Sequence, residues 1–201
     1  TGAATMAAGT TTTFSSTVGT DSDITGTTTA NMTFNGAVTS TGNIAAGVGS
    51  TTAFNSTVSA VNLSNSGAMT LKGAVTLSGT MTTVSGSTIT LGSAFKAGSA
   101  AAITAASTSV GTLDQTVNAV TVNVNNQFTT GTVVLFKNTA AVLDADDLAS
   151  FNVTDTAIVD YTAALSSTAK AIEITANKRT TAGIATYLGM STAQSAALGQ
   201  I

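Results

Sequence analysis

Charged side chains gather at three places in this sequence: Asp144-Ala-Asp-Asp147, Lys178-Arg179, and Glu173 between Ile172 and Ile174. The acidic cluster offers oxygen ligands of the kind calcium takes. It has no Gly-rich loop and no following Glu at EF-hand spacing, so a solvated turn is the simpler reading of Asp144, Asp146 and Asp147. Lys178 and Arg179 are the one basic pair. They could meet a phosphate, a lipid headgroup or a neighbouring subunit, although a solvated strand end explains them with less. Strand alternation turns Glu173 outward, and no second acid stands near it at the spacing glycosidases use. Asp144 and Asp160 are carboxylates without a catalytic constellation around them. Asp21 and Asp23 flank a corner before Ile24 and are most simply turn residues.

Most other chemistry is excluded by residue type. There is no His, Cys, Pro or Trp. Without His and Cys, no Ser-His-Asp or Cys-His nucleophile can be assembled, and no zinc finger, haem ligand set or thiolate cluster. No Gly precedes a Lys-Ser or Lys-Thr, so a phosphate-cradling loop is missing too. Six basic residues against nine acidic ones leave a net charge of −3, without the cationic footprint of a nucleic-acid binder. The sequence therefore predicts no catalytic, cofactor-binding or metal-ligating residues, no cofactor and no enzyme activity. Glycosylation sequons at Asn31, Asn55, Asn62 and Asn152 are what chance supplies in a chain so rich in Ser and Thr.

What such a chain builds is visible in its repeats. Phe14-Ser-Ser-Thr-Val18, Phe34-Asn-Gly-Ala-Val38 and Phe54-Asn-Ser-Thr-Val58 recur every 20 residues. Read as strand, the Phe, a small residue and the Val share one inward face. Ile24 and Ile44 mark a second register ten residues on, with Leu63 one place out of step. Met69-Thr-Leu-Lys-Gly-Ala-Val75 repeats Met32-Thr-Phe-Asn-Gly-Ala-Val38 as a fourth, slightly shorter copy. A period near 20 with short strands predicts an all-β solenoid, a β-helix whose coils bury their inner faces by stacking. Thr suits the outer face, and Gly and Asn suit the corners. With no Cys, stability must come from packing and backbone pairing.

Beyond the clear repeats, Met81, Val84, Ile89 and Leu91 continue the alternation. The Ala-rich residues 97–109 read as a loose coil or a short helix. The charge pattern changes near residue 111: four charges precede it and eleven follow. This divides the chain into repeat coils over 1–110, capping strands over 111–180 and a short helical tail over 181–201. In the tail, Ile184, Tyr187 and Leu188 are spaced for a helix face, and Ser191-Thr-Ala-Gln194 has capping-box spacing. No apolar run is long enough for a spanning helix, and nine Phe and Tyr spread through the chain do not form the aromatic girdles of a membrane barrel. Starting at Thr1 with no signal peptide, the chain is expected to be a processed form or a fragment. Thr ladders on a solenoid can order water as ice. At Thr12, Met32 and Thr52, and at Thr13, Thr33 and Ala53, each ladder is broken in one of three coils, which weighs against that use.

Four C-terminal segments occur in an order that resembles the end of an autotransporter (type V secretion) passenger: Gly131-Thr-Val-Val-Leu-Phe136, Phe151-Asn-Val153, Tyr161-Thr-Ala-Ala-Leu165 and Ile172-Glu-Ile-Thr-Ala-Asn-Lys-Arg-Thr180. The Thr/Gly-rich coils upstream are similar in style to that family's passenger repeats. Neither the translocator barrel nor the separated asparagine pair that some members use for cleavage is evident. The resemblance implies a bacterial cell-surface or extracellular protein, structural or adhesive, bound to copies of itself or to a surface receptor. Two other roles fit the same repeats: a self-assembling subunit of a filament or surface layer, stacking end to end or laterally, and a phage tail-fibre segment.

Overall fold

In the computed structural model, which describes residues 2–106, 120–124 and 129–198, the chain is a parallel β-solenoid. Each coil contributes three short strands, one to each of three sheets. The first coil holds β1 (Ala4–Met6), β2 (Thr11–Phe14) and β3 (Val18–Thr20). The second holds β4 (Ile24–Gly26), β5 (Asn31–Phe34) and β6 (Val38–Ser40), and the third β7 (Ile44–Ala46), β8 (Thr51–Phe54) and β9 (Val58–Ala60). The fourth, shorter coil holds β10 (Leu63–Asn65), β11 (Ala68–Leu71) and β12 (Val75–Leu77). A fifth, stretched coil holds β13 (Met81–Thr83), β14 (Thr88–Leu91) and β15 (Ile103–Ala105).

Register follows the anchors seen in the sequence. Phe14, Phe34, Phe54 and Leu71 stack in one column, and Val18, Val38, Val58 and Val75 in a second. A third column runs Ile24, Ile44, Leu63 and Met81. Leu63 falls into line because the corner before it is one residue shorter, so its missed step in the sequence is a shortened turn. These columns are the core: Phe34, Phe54, Ile44 and Leu71 have no exposed surface. Each such side chain contributes roughly 1.5–3 kcal/mol by leaving water.

The Phe-polar-small-small-Val motif plays a different part from the one its alternation predicts. It spans a corner between two sheets, so Phe and Val face inward while the small residue sits in the turn. Successive turns stack closely there: a Cβ on Gly36 would lie 2.4 Å from the Thr17 backbone nitrogen. The residue must be small because a backbone lies against it, and the alternation of a single strand is not the reason. At other corners, polar side chains stack as the core does. Asp23 Oδ1 accepts from the Asn43 backbone and side-chain nitrogens at 2.7 and 3.1 Å. Asn43 Oδ1 accepts from Asn62 Nδ2 at 2.8 Å, and Asn62 Oδ1 from the Thr80 backbone nitrogen at 2.7 Å. Asn55 donates to Asn35 at 2.8 Å in a parallel ladder. Asp23 is therefore the turn residue expected, with its carboxylate at the foot of that file.

Between β14 and β15 the corner widens into residues 92–102. No helix forms there. The chain makes turns that bury Phe95 and then enters β15, because Ile103 and Ala105 continue the inward columns. Residues 107–109 of the Ala-rich segment, and the junction near 111, lie outside the described residues. Parallel pairing then resumes. β16 (Val120–Asn123) pairs with β14, β17 (Gly131–Asn138) with β15, and β18 (Phe151–Thr154) with β16. A short helix α1 (Ala145–Ala149) precedes β18. The C-terminal end is closed by β19 (Val159–Leu165) and β20 (Ala171–Lys178), which pair antiparallel to each other and extend the sheet beyond β17. Two helices follow, α2 (Thr181–Tyr187) and α3 (Thr192–Leu198), which pack on each other. The Thr180 hydroxyl caps α2, and Ser191 with Gln194 forms the capping interaction their spacing predicts.

Candidate functional site

The densest polar constellation is built around Arg179, where β20 hands the chain to α2. Strand pairing fixes its backbone, whose N–H donates to Ile158 O at 2.9 Å. Its Nη2 lies 2.6 Å from Asp155 Oδ2 and 3.5 Å from Asp160 Oδ1. Nε donates to Thr156 O at 3.3 Å, and the guanidinium stands 4.8 Å from the centre of the Tyr187 ring. The other oxygen of Asp155 accepts from the Tyr161 backbone nitrogen at 2.8 Å, and the Tyr187 hydroxyl donates to the Asp155 carbonyl at 3.4 Å. Arginine's planar fork is what allows one side chain to hold a loop, a strand edge and a helix together.

Arg179 thus spends its charge inside the protein, where its side chain is 18% exposed. It is not the free solvated strand end that the sequence suggests. Lys178 beside it is exposed at the end of β20. Alternation ends before the pair, since Asn177 and Lys178 are both exposed, and Arg179, one place beyond β20, turns in against Asp155 and Asp160. Sequence reading missed the knot because Asp155 and Asp160 lie 24 and 19 positions upstream, and only the β19–β20 hairpin brings them to Arg179. Tyr161, on β19, has its hydroxyl pushed up by burial and by the Asp155 charge.

The acidic cluster is a helix cap. Asp144 Oδ1 accepts from the Asp146 and Asp147 backbone nitrogens at 3.0 and 2.9 Å, and Asp147 Oδ2 accepts in return from the Asp144 nitrogen at 3.0 Å. This reciprocal pair is a capping box, and it places carboxylates at the positive end of the helix. Asp147 is buried, which raises its pKa above the ordinary 3.8; the hydrogen bond from Asp144 opposes the rise, and the charges of Asp144 and Asp146 add to it. No group of three or more metal-ligating side chains forms among the described residues. Glu173 lies on the half-exposed side of β20 with Ile172 and Ile174 buried, as alternation predicts.

The sequon residues Asn31, Asn55 and Asn62 use their amides in side-chain ladders between coils. Of the Thr positions weighed for ordering water, Met32 and Thr52 are buried and Thr12 lies in the same inward column. The other positions weighed, Thr13, Thr33 and Ala53, form a file on the outward side of the same strands. A further recess exists where the fourth coil's corner, Ser66-Gly67, is two residues shorter than its neighbours. It is an open notch of about 450 Å³ walled by Val48, Ser50 and Gly86. Among the described residues no helix is long and apolar enough to cross a membrane. Comparison of the chain with protein-family models, with curated proteins and with solved structures gives no match in any of the three.

Proposed function

We propose that this chain is a non-enzymatic extracellular β-solenoid of bacterial type, a passenger-like rod with a structural or adhesive role at a cell surface. The observation that carries the reading is the unbroken stacking of side-chain columns through the coils, closed at one end by the antiparallel hairpin and its Arg179 knot. A rod built this way resists bending because every coil shares its core, its backbone hydrogen bonds and its corner ladders with the next. The residue types available, Thr, Ser, Ala, Gly and Asn, favour display of a regular surface over a reaction centre. The order of C-terminal segments, similar to the end of autotransporter passengers, supports placing it outside the cell. In this role the coils give length and stiffness, and the cap keeps the last coil from offering its open edge to other chains.

The test combines limited proteolysis with native mass. A monomeric core that survives protease to about residue 180, with cleavage confined to the helical tail, is the expected result. Rapid digestion throughout the coils would overturn the rod. Concentration-dependent filaments would move the role to a self-assembling surface layer, and an obligate trimer would move it to a tail-fibre segment.

A further inference from the structure

The seven-stranded sheet β2-β5-β8-β11-β14-β16-β18 presents the wider of two uncharged outer faces; the five-stranded sheet β1-β4-β7-β10-β13 also lacks charged residues, but its three-residue strands turn out one residue each. In the seven-stranded sheet two residues of each strand point outward, and strand pairing aligns them in two files. One file runs from Thr11 to Asn152, the other from Thr13 to Thr154. Of these fourteen positions nine are Thr, three Asn and two Ala, so the face carries hydroxyls, methyls and amides in a repeating grid. None of the seven strands contains a charged residue. The sheet that contains β17 and β20, by contrast, carries Lys137, Asp160, Glu173 and Lys178.

The inner side of the sheet shows how regularly the strands repeat. On the inner side of the same sheet, Phe14 and Phe34 stack with ring planes 3° apart and centroids at 4.7 Å, and Phe34 and Phe54 follow at 15° and 5.2 Å. The Phe side chain thus keeps nearly one orientation from coil to coil, so the strands that carry it repeat in register. Outward groups then repeat every ~4.8 Å across strands and every ~6.6 Å along them, over roughly 28 Å of sheet. The side chains are held as well as spaced. Asn31 donates to Thr11 and accepts from Thr51, bridging three coils of the first file. Thr rotates little about χ1, so its methyl and hydroxyl keep one orientation at small entropic cost.

We propose that this face binds the surface of ice. Its methyls constrain the orientation of first-layer water, and its hydroxyls hydrogen-bond that layer at lattice-like intervals. With no charge present, no group draws water into a competing radial shell. The occupant is a crystal because its surface, like this face, is uncharged and periodic in two directions; a second copy of the face shares those properties, and self-association of the chain in place of enrichment in ice would overturn the proposal. The centre of the face is the patch of Thr33, Thr51, Thr70, Thr88 and Thr90. This goes beyond the rod reading and stands independently of it, since a proteolysis-resistant rod need not touch ice.

The experiment is partition of the full chain, fluorescently labelled, into a slowly grown ice hemisphere, with T33K/T70K as the disrupting variant. The single change Thr76→Lys on the exposed side of β12, in another sheet, is the control. Circular dichroism and unfolding midpoints establish that each variant is folded; Thr70→Val, which keeps the methyl shape, is used if the double lysine variant is not. The expected result is enrichment of the parent and of T76K in ice, with T33K/T70K excluded to the level of a non-binding protein and Thr70→Val reduced. Exclusion of the parent would overturn the proposal, as would equal enrichment of all variants. Retention on crystalline chitin or cellulose without any on ice would likewise overturn it.

Discussion

The coils between Ile24 and Leu91 and the cap between Asp155 and Tyr187 solve one problem with opposite materials. Both must satisfy backbone groups and exclude water from a narrow core. In the coils, each element is stabilised by a copy of itself one step away: Phe on Phe, Val on Val, Asn on Asn. In the cap nothing repeats, and unlike groups are matched once, with Arg179 against Asp155, Asp160 and Tyr187. Stacking distributes stability over many equivalent contacts, whereas the knot concentrates it in one residue. Damage to a coil should accordingly spread to the coils on either side, while damage to the knot should stay at the end of the rod.

Phe34→Ala tests the first half of that contrast and is expected to have the largest effect. Phe34 is wholly buried, with a ring on each side. Its removal costs about 3–5 kcal/mol by the usual measure of a large-to-small core change. Chemical unfolding measures the loss, and hydrogen exchange should show reduced protection in β2 and β8 as well as in β5. Loss confined to β5 would break the idea that coils share stability. Phe14→Ala should cost less, because Phe14 is only half-buried in the first coil.

How much of this was legible follows from the same contrast. The columns could be read off the sequence because a repeated contact leaves a repeated letter: Phe14, Phe34 and Phe54 announce the stack, and Val18, Val38 and Val58 its neighbour. The antiparallel strands after Gly131 were legible as strands, since Val-Val-Leu-Phe and Ile-Glu-Ile alternate or run apolar. Their pairing was not. Arg179 and Asp155 carry no local signal of each other, because the contact depends on the hairpin's register. The outward grid was legible in part: counting back one place from each Phe gives Thr13, Thr33 and Ala53, the start of one of its two files. The second file, Thr11, Asn31 and Thr51, and the continuation of both files through β11 to β18 depend on pairing between coils of unequal length. Thr11 and Thr13 belong to the grid and Thr12 does not.

Arg179→Met sharpens the comparison from the other end. The substitution keeps a long stem over Tyr187 and removes the charge, leaving Asp155 and Asp160 without their partner. Hydrogen bonds to charged groups contribute about 1.5–3 kcal/mol each; with Asp155 31% and Asp160 50% exposed, solvent screening keeps the net loss near the lower end, about 1.5 kcal/mol. Hydrogen exchange should rise in α2, α3 and residues 155–160 while β4–β12 stay protected. Asp155→Asn combined with Arg179→Met should cost less than the two single changes summed. Strict additivity would mean that the two side chains act separately.

Acid response should separate the regions again. Asp147 titrates higher when folded than when unfolded, so the native state holds the extra proton. By linkage, its contribution to stability is greatest below the unfolded value of 3.8 and declines as pH rises through the interval up to the raised folded value. Asp147→Asn should remove this decline, an effect below about 1 kcal/mol because the capping bond to Asp144 can still be accepted. Stability followed over that pH range in parent and variant gives the difference directly. A parallel decline in both proteins would place the titrating group elsewhere.

The smallest expected effect has the opposite sign and lies in the coils. Thr29 has φ +61°, in the left-handed region, at the corner position where the coils on either side have Gly9 at +71° and Gly49 at +68°. A β-branched residue is strained there, by roughly 1–2 kcal/mol. Two compensations reduce what Thr29→Gly can gain. The unfolded chain becomes freer, at about 0.5–1 kcal/mol, and the bond from the Gly9 nitrogen to the Thr29 hydroxyl at 3.1 Å is lost. The net expectation is a stabilisation of about 0.5 kcal/mol, seen as a higher unfolding midpoint. Thr29→Ala separates the contributions: it keeps the strain and loses the hydroxyl, so it should fall below the parent. If Gly also falls below the parent, the inter-coil hydroxyl contact outweighs backbone strain, and polar ladders rather than backbone geometry set the stability of these corners.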